Sequence, residues 1–418
     1  MRKGFNGILT QQFLLFALTT QSYVFSVRSL IVGRDFALII LSLVIAQLFG
    51  AFLAHVLYKM MRTKVNIEVL TCFTAIGFAI ASSLLLMIDR NGILILGDLL
   101  VFRTILFFCY LSYSMFLYFG FVSIMNLKEI LDSESYYDLV RVSYAGLFVG
   151  IIYNLVLRTA MLSLNPYLLN LLSILIVAVA VGRYYLIKNH GKSEDLDSNS
   201  NELRLIPTDE DKPMKQTLLQ NIIIFSIVWS LFMLPINNPE LMSYMSNMSH
   251  EWIQYIFVLT SILGILIGVK AVMMKYLRKD VYVSLQSYLP VLTLLTIGLF
   301  GFYLFYPPSQ WIYLINYVVS ILIFALVASI SFFEIFSSIK KSQIGYFVFL
   351  IFFIHLLQVS IRLLMIERHM PYIWSILLII MGVLQYLNYR SQYQKKNEES
   401  QRSLESNNII EEKENGCD

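Results

Sequence analysis

An all-α, polytopic membrane fold of about twelve helices is what this chain predicts, on three observations. Hydrophobic residues fill 58% and charged residues 14% of its 418 positions, against roughly 25% charge in soluble domains. Apolar runs of about 20 residues recur along the whole length, which is what a helix needs to cross a hydrocarbon core of roughly 30 Å. Within each run the apolar residues are continuous rather than alternating, which excludes a transmembrane β-barrel.

The runs fall at roughly 10–32, 36–58, 67–88, 97–125, 141–163 and 166–187, then at roughly 217–236, 251–274, 282–306, 311–338, 343–365 and 371–389. The first is a span rather than a cleaved signal: Arg2 and Lys3 precede it, but it is long, contains Gln11, Gln12 and Gln21, and lacks a small-x-small cleavage site. The second carries Gln47 and ends on the basic stretch "YKMMRTKV", residues 58–65. Arg103 lies about five residues into the fourth span, and the loop after it, "NLKEILDSESYYDLVR", reads as a surface helix or turn whose Asp132, Glu134, Asp138 and Arg141 pair with basic loops. The fifth has Gly146-x-x-x-Gly150, a spacing that lets helices approach closely, then Asn154 and Arg158 one turn apart. Residues 188–215, rich in Ser, Asn, Asp and Glu, read as a flexible linker. Beyond it the eighth span runs into "KYLRKDV", the tenth holds Glu334 near its inner end, and the eleventh holds His355, Gln358 and Arg362. The tail 391–418 has the linker's composition and reads as disordered.

Lysine and arginine in short loops stay on the cytoplasmic side. With twelve spans and the N-terminus inside, the lysines from Lys3, Lys59, Lys64 and Lys128 through Lys275, Lys279, Lys340 and Lys341 all fall at the inner face, so both termini are placed in the cytoplasm of a cell-membrane protein. The three cysteines, Cys72, Cys109 and Cys417, have no metal or disulfide spacing.

The predicted organisation is a six-helix bundle over 1–187, a cytoplasmic linker over 188–215, a second bundle over 216–390 and the tail 391–418. Three matches suggest that the bundles are repeats. Lys59-x-x-Arg62-x-x-Val65 and Lys275-x-x-Arg278-x-x-Val281 join equivalent spans; Asn154-x-x-x-Arg158 and Gln358-x-x-x-Arg362 put an amide and a guanidinium one turn apart; "QQFLLF" and "QNIIIF" open the first and seventh spans. Such same-topology repeats enclose a midplane site in many transporters.

In this layout the chain resembles the major facilitator superfamily of secondary transporters over nearly its whole length. Lys59 and Arg62 match basic positions of that family's second-to-third loop signature, while Tyr58 stands in place of its acid and Met61 in place of its glycine. In the second copy Lys275 and Arg278 match, and Met274 and Leu277 do not. Arg103 stands where the family's drug–proton exchangers keep an arginine, without the Gln-Gly that follows there. The resemblance implies alternating access, with Lys59, Arg62, Lys275 and Arg278 in cytoplasmic gating loops and the fifth and eleventh spans beside a central cavity.

A charge at the centre of a span costs about 2.5–3.5 kcal/mol on insertion scales, so buried polar groups face a cavity or each other. Gln21, Arg103, Asn154, Arg158, His355, Gln358 and Arg362 are therefore the candidate substrate-binding residues. With the fifth and eleventh spans facing each other across the cavity, as the resemblance implies, Arg158 and Arg362 approach from opposite sides and favour an anionic or amphipathic solute. The ordinary alternatives are snorkelling arginines, amides bonding neighbouring helices, a core histidine, and a Glu334 that caps a helix end near Lys340. The sequence has no phosphate-binding loop, no in-membrane catalytic cluster and no soluble domain for a catalytic site, so it reads as a non-enzyme without cofactor or metal and without a nucleic-acid partner. Its expected partners are the lipid bilayer, a small-molecule substrate and a coupling proton or sodium ion. Two rival functions keep the same layout: a flippase for lipid-linked oligosaccharides, and a non-transporting membrane partner or immunity protein.

Overall fold

The computed structural model describes residues 2–28, 36–61, 65–90, 98–129, 131–160, 166–194, 216–237, 251–278 and 310–365, with a few single positions beyond. Ten α-helices account for almost all of them: α1 (Arg2–Arg28), α2 (Phe36–Met61), α3 (Ile67–Arg90), α4 (Asp98–Leu127), α5 (Ser133–Ala160), α6 (Pro166–Glu194), α7 (Gln216–Asn237), α8 (Glu251–Leu277), α9 (Gln310–Ser338) and α10 (Ile344–Met365). These are the predicted spans one to eight, ten and eleven; spans nine and twelve, the linker core and the tail lie outside the described residues. Three helices overrun their predicted ends. The helix α1 begins at Arg2, α5 begins at Ser133, and α6 continues to Glu194 into the start of the predicted linker. Hydropathy marks only the apolar part of a helix, and polar turns at its ends are invisible to it.

Sidedness of the side chains identifies the solvent. Stretches Ser42–Met61, Ile67–Leu84, Arg103–Leu127 and Leu171–Asn189 are long and apolar enough to cross a membrane. Their outer faces carry exposed large apolar groups, with Phe52 60% and Phe73 66% exposed, while glutamines, serines and an arginine lie inside. Water would not tolerate that arrangement; hydrocarbon does.

Within the first half α1 packs on α5 and α6, α2 on α4, and α3 on α4 and α6. In the second half α8 packs on α9 as α2 does on α4, and α7 on α10 as α1 does on α5. Small residues permit the matching approaches: a Cβ on Gly50 would sit 2.6 Å from the Leu111 carbonyl oxygen on α4, and one on Gly268 2.9 Å from that of Ala325 on α9. Gly146 and Gly150 do the same for α5 on α1, where added Cβ atoms would meet the Phe13 and Ala17 carbonyls at 2.7 and 2.6 Å. Across the halves the principal pairs are α2 with α10 and α5 with α8.

Candidate translocation core and its seal

The end of the molecule where α6 stops and α7 starts is termed the linker end. Near it, inside the first half, lies a fully connected polar network. Arg183 of α6, 2% exposed, donates Nη1 to Oε2 of Glu68 on α3, Nη2 to Oγ of Ser123 on α4 at 2.6 Å, and Nε to Oε1 of Gln12 on α1 at 2.6 Å. Ser123 donates its own proton to Oε1 of Glu68. Gln12 then donates Nε2 to Oγ of Ser143 on α5 at 3.0 Å, and Ser143 donates to the Leu139 carbonyl at 2.8 Å. Five helices thus share one ion pair, and each guanidinium nitrogen has an acceptor. Burial of a carboxylate and a guanidinium demands that completeness.

Deeper in the same half is a neutral cluster. Tyr23 stacks on Tyr113 with ring centres 4.0 Å apart, and its hydroxyl accepts from Gln47 Nε2 at 2.6 Å. Thr20 and Tyr113 share a hydrogen bond of 3.2 Å, and Ser22 and Ser82 one of 2.7 Å. These are helix-bridging contacts between α1, α2, α3 and α4.

The surface between the halves is of another kind. Phe121 of α4 stacks on Phe347 of α10 at 5.3 Å and meets Phe332 and Phe336 of α9 at 5.9 and 5.4 Å; Phe225 of α7 joins Phe332 and Phe347 at 5.3 and 5.6 Å. Phe148 of α5 closes on Phe225 and Trp229. All these rings are at most 3% exposed. Polar contacts across this seam run mostly from one side chain to a backbone carbonyl: Tyr144 hydroxyl to Ala325 at 2.6 Å, Tyr136 hydroxyl to Phe336 at 2.9 Å, and Lys128 Nζ to Ser337 at 3.2 Å. Burial holds the Lys128 ammonium below its ordinary range. At the rim Lys341 meets Glu129 at 2.7 Å. Near the linker end the described helices of the two halves therefore meet through aromatic packing, with a cleft of about 420 Å³ beside it between α5 and α8, lined by Glu134, Tyr137, Asp138, Arg141 and Met273.

Of the sequence-predicted residues, Gln21 is half-buried on α1, Arg103 is exposed on α4, and His355 is buried, 3% exposed, on α10. Asn154, Arg158, Gln358 and Arg362 lie on α5 and α10, with side chains outside the described set. In the paired loops Lys59 and Arg278 are exposed, Arg62 lies outside the described residues, and Lys275 is on α8 with its side chain outside them. Glu334 accepts from the Tyr282 hydroxyl at 2.8 Å, so its position bonds a neighbouring segment in addition to standing near a helix end. Asp138 and Arg141 pair with each other, and that loop reaches the other half through the Glu129–Lys341 ion pair and the Lys128 and Tyr136 hydrogen bonds to backbone carbonyls. Sequence reasoning passed over Glu68 and Arg183, although each is a charge inside a predicted apolar run, the signal that selected Arg103. Among the described residues no group of three His, Cys, Asp or Glu is arranged to hold a metal ion.

No family model matches the chain, and no curated protein matches it by sequence. Solved structures do. A bacterial homologue of the iron transporter ferroportin, in an outward-facing state with soaked iron, aligns with a TM-score of 0.60 at 15% identity over 92% of this chain and 97% of that one. A second structure of a bacterial homologue of ferroportin in an outward-facing state gives 0.58 at 15% over 92% and 97%, and the nucleoside transporter NupG 0.55 at 14% over 93% and 99%. At such identity the likeness is one of fold alone: this chain shares, over nearly its whole length, the helical fold of these solved structures.

Proposed function

We propose that the chain is a secondary transporter that moves a small solute by alternating access between its halves, 1–187 and 216–390, joined by the cytoplasmic linker 188–215. The observation that carries this is the pairing across the seam. The helix α2 lies on α10 and α5 on α8, so exchanging the halves exchanges one contact for the other, as a rocking pair of repeats requires. The seam is dry and aromatic at the linker end, a surface that two bodies can leave and re-form. The solute is read as anionic from the arginines Arg158 and Arg362, which repeat one turn after an amide in both halves. A coupling proton or sodium ion supplies the driving force in this reading, because the sequence has no nucleotide-binding loop.

The test is a reversible lock. In a chain whose Cys72, Cys109 and Cys417 are replaced by serine, cysteines at Glu129 and Lys341, whose charged atoms are 2.7 Å apart, are cross-linked in reconstituted vesicles. Uptake of labelled organic anions, nucleosides and divalent metal ions is followed separately. Cross-linking should stop uptake and reduction should restore it. Uptake that continues through the locked state overturns alternating access. Replacing both Arg158 and Arg362 by glutamine is the arm for solute charge: anion uptake should vanish with membrane insertion intact.

A further inference from the structure

We propose that His55 is a proton-binding site in the seam between the halves, and that its protonation opens the linker end. The inference rests on the alternating-access reading above and adds to it the group whose charge biases the two states.

His55 sits on α2 about 9 Å from that helix's linker end, at 1.5 Å per residue. Its ring is half-buried. Nδ1 shares a hydrogen bond of 3.1 Å with the Tyr118 hydroxyl of α4, and the Tyr118 ring stands edge-on to it at 6.0 Å between centres. The opposing wall belongs to the other half: a Cβ on Gly345 of α10 would fall 2.6 Å from Nδ1. Only glycine leaves room for the imidazole there. The ring is thus seated by two elements of one half and capped by the backbone of the other, across the α2–α10 pair that rocking must part.

The charges around this seat are one-sided. On α2 itself the neighbours are Tyr58 and the exposed Lys59, one turn on. Tyr118 is the titratable group that α4 presents. On α10 the contact is Gly345, and the next residue, Tyr346, is 64% exposed. On the preceding turn Lys341 is bound to Glu129, beside Lys340. No carboxylate faces the ring among the described residues that contact it. A neutral imidazole fits this seat, since in either tautomer its Nδ1 shares the hydrogen bond with the Tyr118 hydroxyl. An imidazolium must reverse that hydrogen bond, with Nδ1–H donating to the Tyr118 hydroxyl, and carries its charge beside Lys59 against the Gly345 backbone with no carboxylate to offset it; separating α2 from α10 hydrates it more fully. Histidine changes charge between about pH 5 and 8, so the closed linker end is the high-pH state and the open one the low-pH state.

The experiment uses the full chain in phosphatidylcholine vesicles, with Cys72, Cys109 and Cys417 replaced by serine. Spin labels are placed at Met60 and Ser342, both exposed at the linker end, and the distance distribution is recorded at pH 8.0 and 5.5, with protons as the only ligand and then with the solutes used above. The long-distance fraction should rise about fivefold or more on acidification, the range of ordinary coupling energies. In His55→Gln, which keeps a polar partner for Tyr118 without a titrating ring, the fraction should stay low at both pH values. In His55→Lys, with a fixed charge, it should be high at both. A pH response retained in His55→Gln overturns the inference, as does a closed seam in His55→Lys or a parent that moves with solute but not with pH; each of these leaves alternating access standing. A single distance in the parent under every condition overturns alternating access, and this inference with it.

Discussion

The interior of the first half and the seam between the halves are built from opposite materials. Inside, Arg183 and Glu68 bind five helices through directional, charge-assisted bonds, and the charged groups are 2% and 6% exposed. Across the seam the contact is a stack of phenylalanines, with polar links that mostly end on backbone carbonyls. A buried ion pair is ruinous to break, because each partner is left charged in low dielectric. Ring stacking beyond area burial is worth only about 0.5–1.5 kcal/mol per pair. On the alternating-access proposal the difference locates the motion: the helices that travel together are held by directional, charge-assisted bonds, and the surface that parts is held by contacts that re-form without registry.

Breaking the interior should have the largest effect. Glu68→Ala leaves the Arg183 guanidinium uncompensated and should cost about 3–5 kcal/mol, the loss typical of a halved buried pair. Folded yield and midpoint in a denaturing-detergent titration would register it. Arg183→Met in the same chain should recover much of that loss, since replacing both partners removes the unpaired charge. A double variant as damaged as the single one would mean that the network holds the half together through its remaining hydrogen bonds, Gln12 to Ser143 above all, and the contrast with the seam would weaken.

A seam substitution should act on a different quantity. Phe121→Ala removes the ring that touches Phe16, Phe332, Phe336 and Phe347. Its expected effect is a bias of about 1–3 kcal/mol toward the state open at the linker end, the scale of coupling energies, with the detergent midpoint moving less than in Glu68→Ala. Solvent labelling of a cysteine at Phe336 would report it. Equal loss of folded yield in the two variants would show that the seam is as much a part of the folded core as the ion pair is.

Much of this architecture was legible in the sequence. The apolar runs placed ten helices because burial in lipid demands long continuous apolar stretches, and Gly146-x-x-x-Gly150 marked a close approach that the structure contains. The candidate site was less legible. The search for in-span charges noted Arg103, which is exposed, and missed Arg183 and Glu68, which are buried. One sequence gives the depth of a charge but not its azimuth, and azimuth decides whether an arginine faces lipid, a cavity or a carboxylate. Partners drawn from five helices up to 171 residues apart are invisible to a local reading. His55 was missed for the same reason: its significance lies in Gly345, on the other half of the molecule.

The rim of the seam gives the smallest expected effect and the finest test of the contrast. Glu129 is 48% exposed in its pair with Lys341, and exposed pairs are worth about 0–1 kcal/mol. Glu129→Gln should therefore leave the fold intact and change uptake by less than about fivefold, a factor that corresponds to roughly 1 kcal/mol, with the change shrinking further as salt is raised. A covalent bond at the same two positions is expected to stop uptake altogether. If the neutral substitution alone stopped it, the rim pair would be a true latch, and strong electrostatics would govern the moving surface as well as the rigid one. A small effect from Glu129→Gln beside complete arrest by the cross-link would mean that the position matters because it joins the two halves, while the energy of closure resides in the rings beneath it.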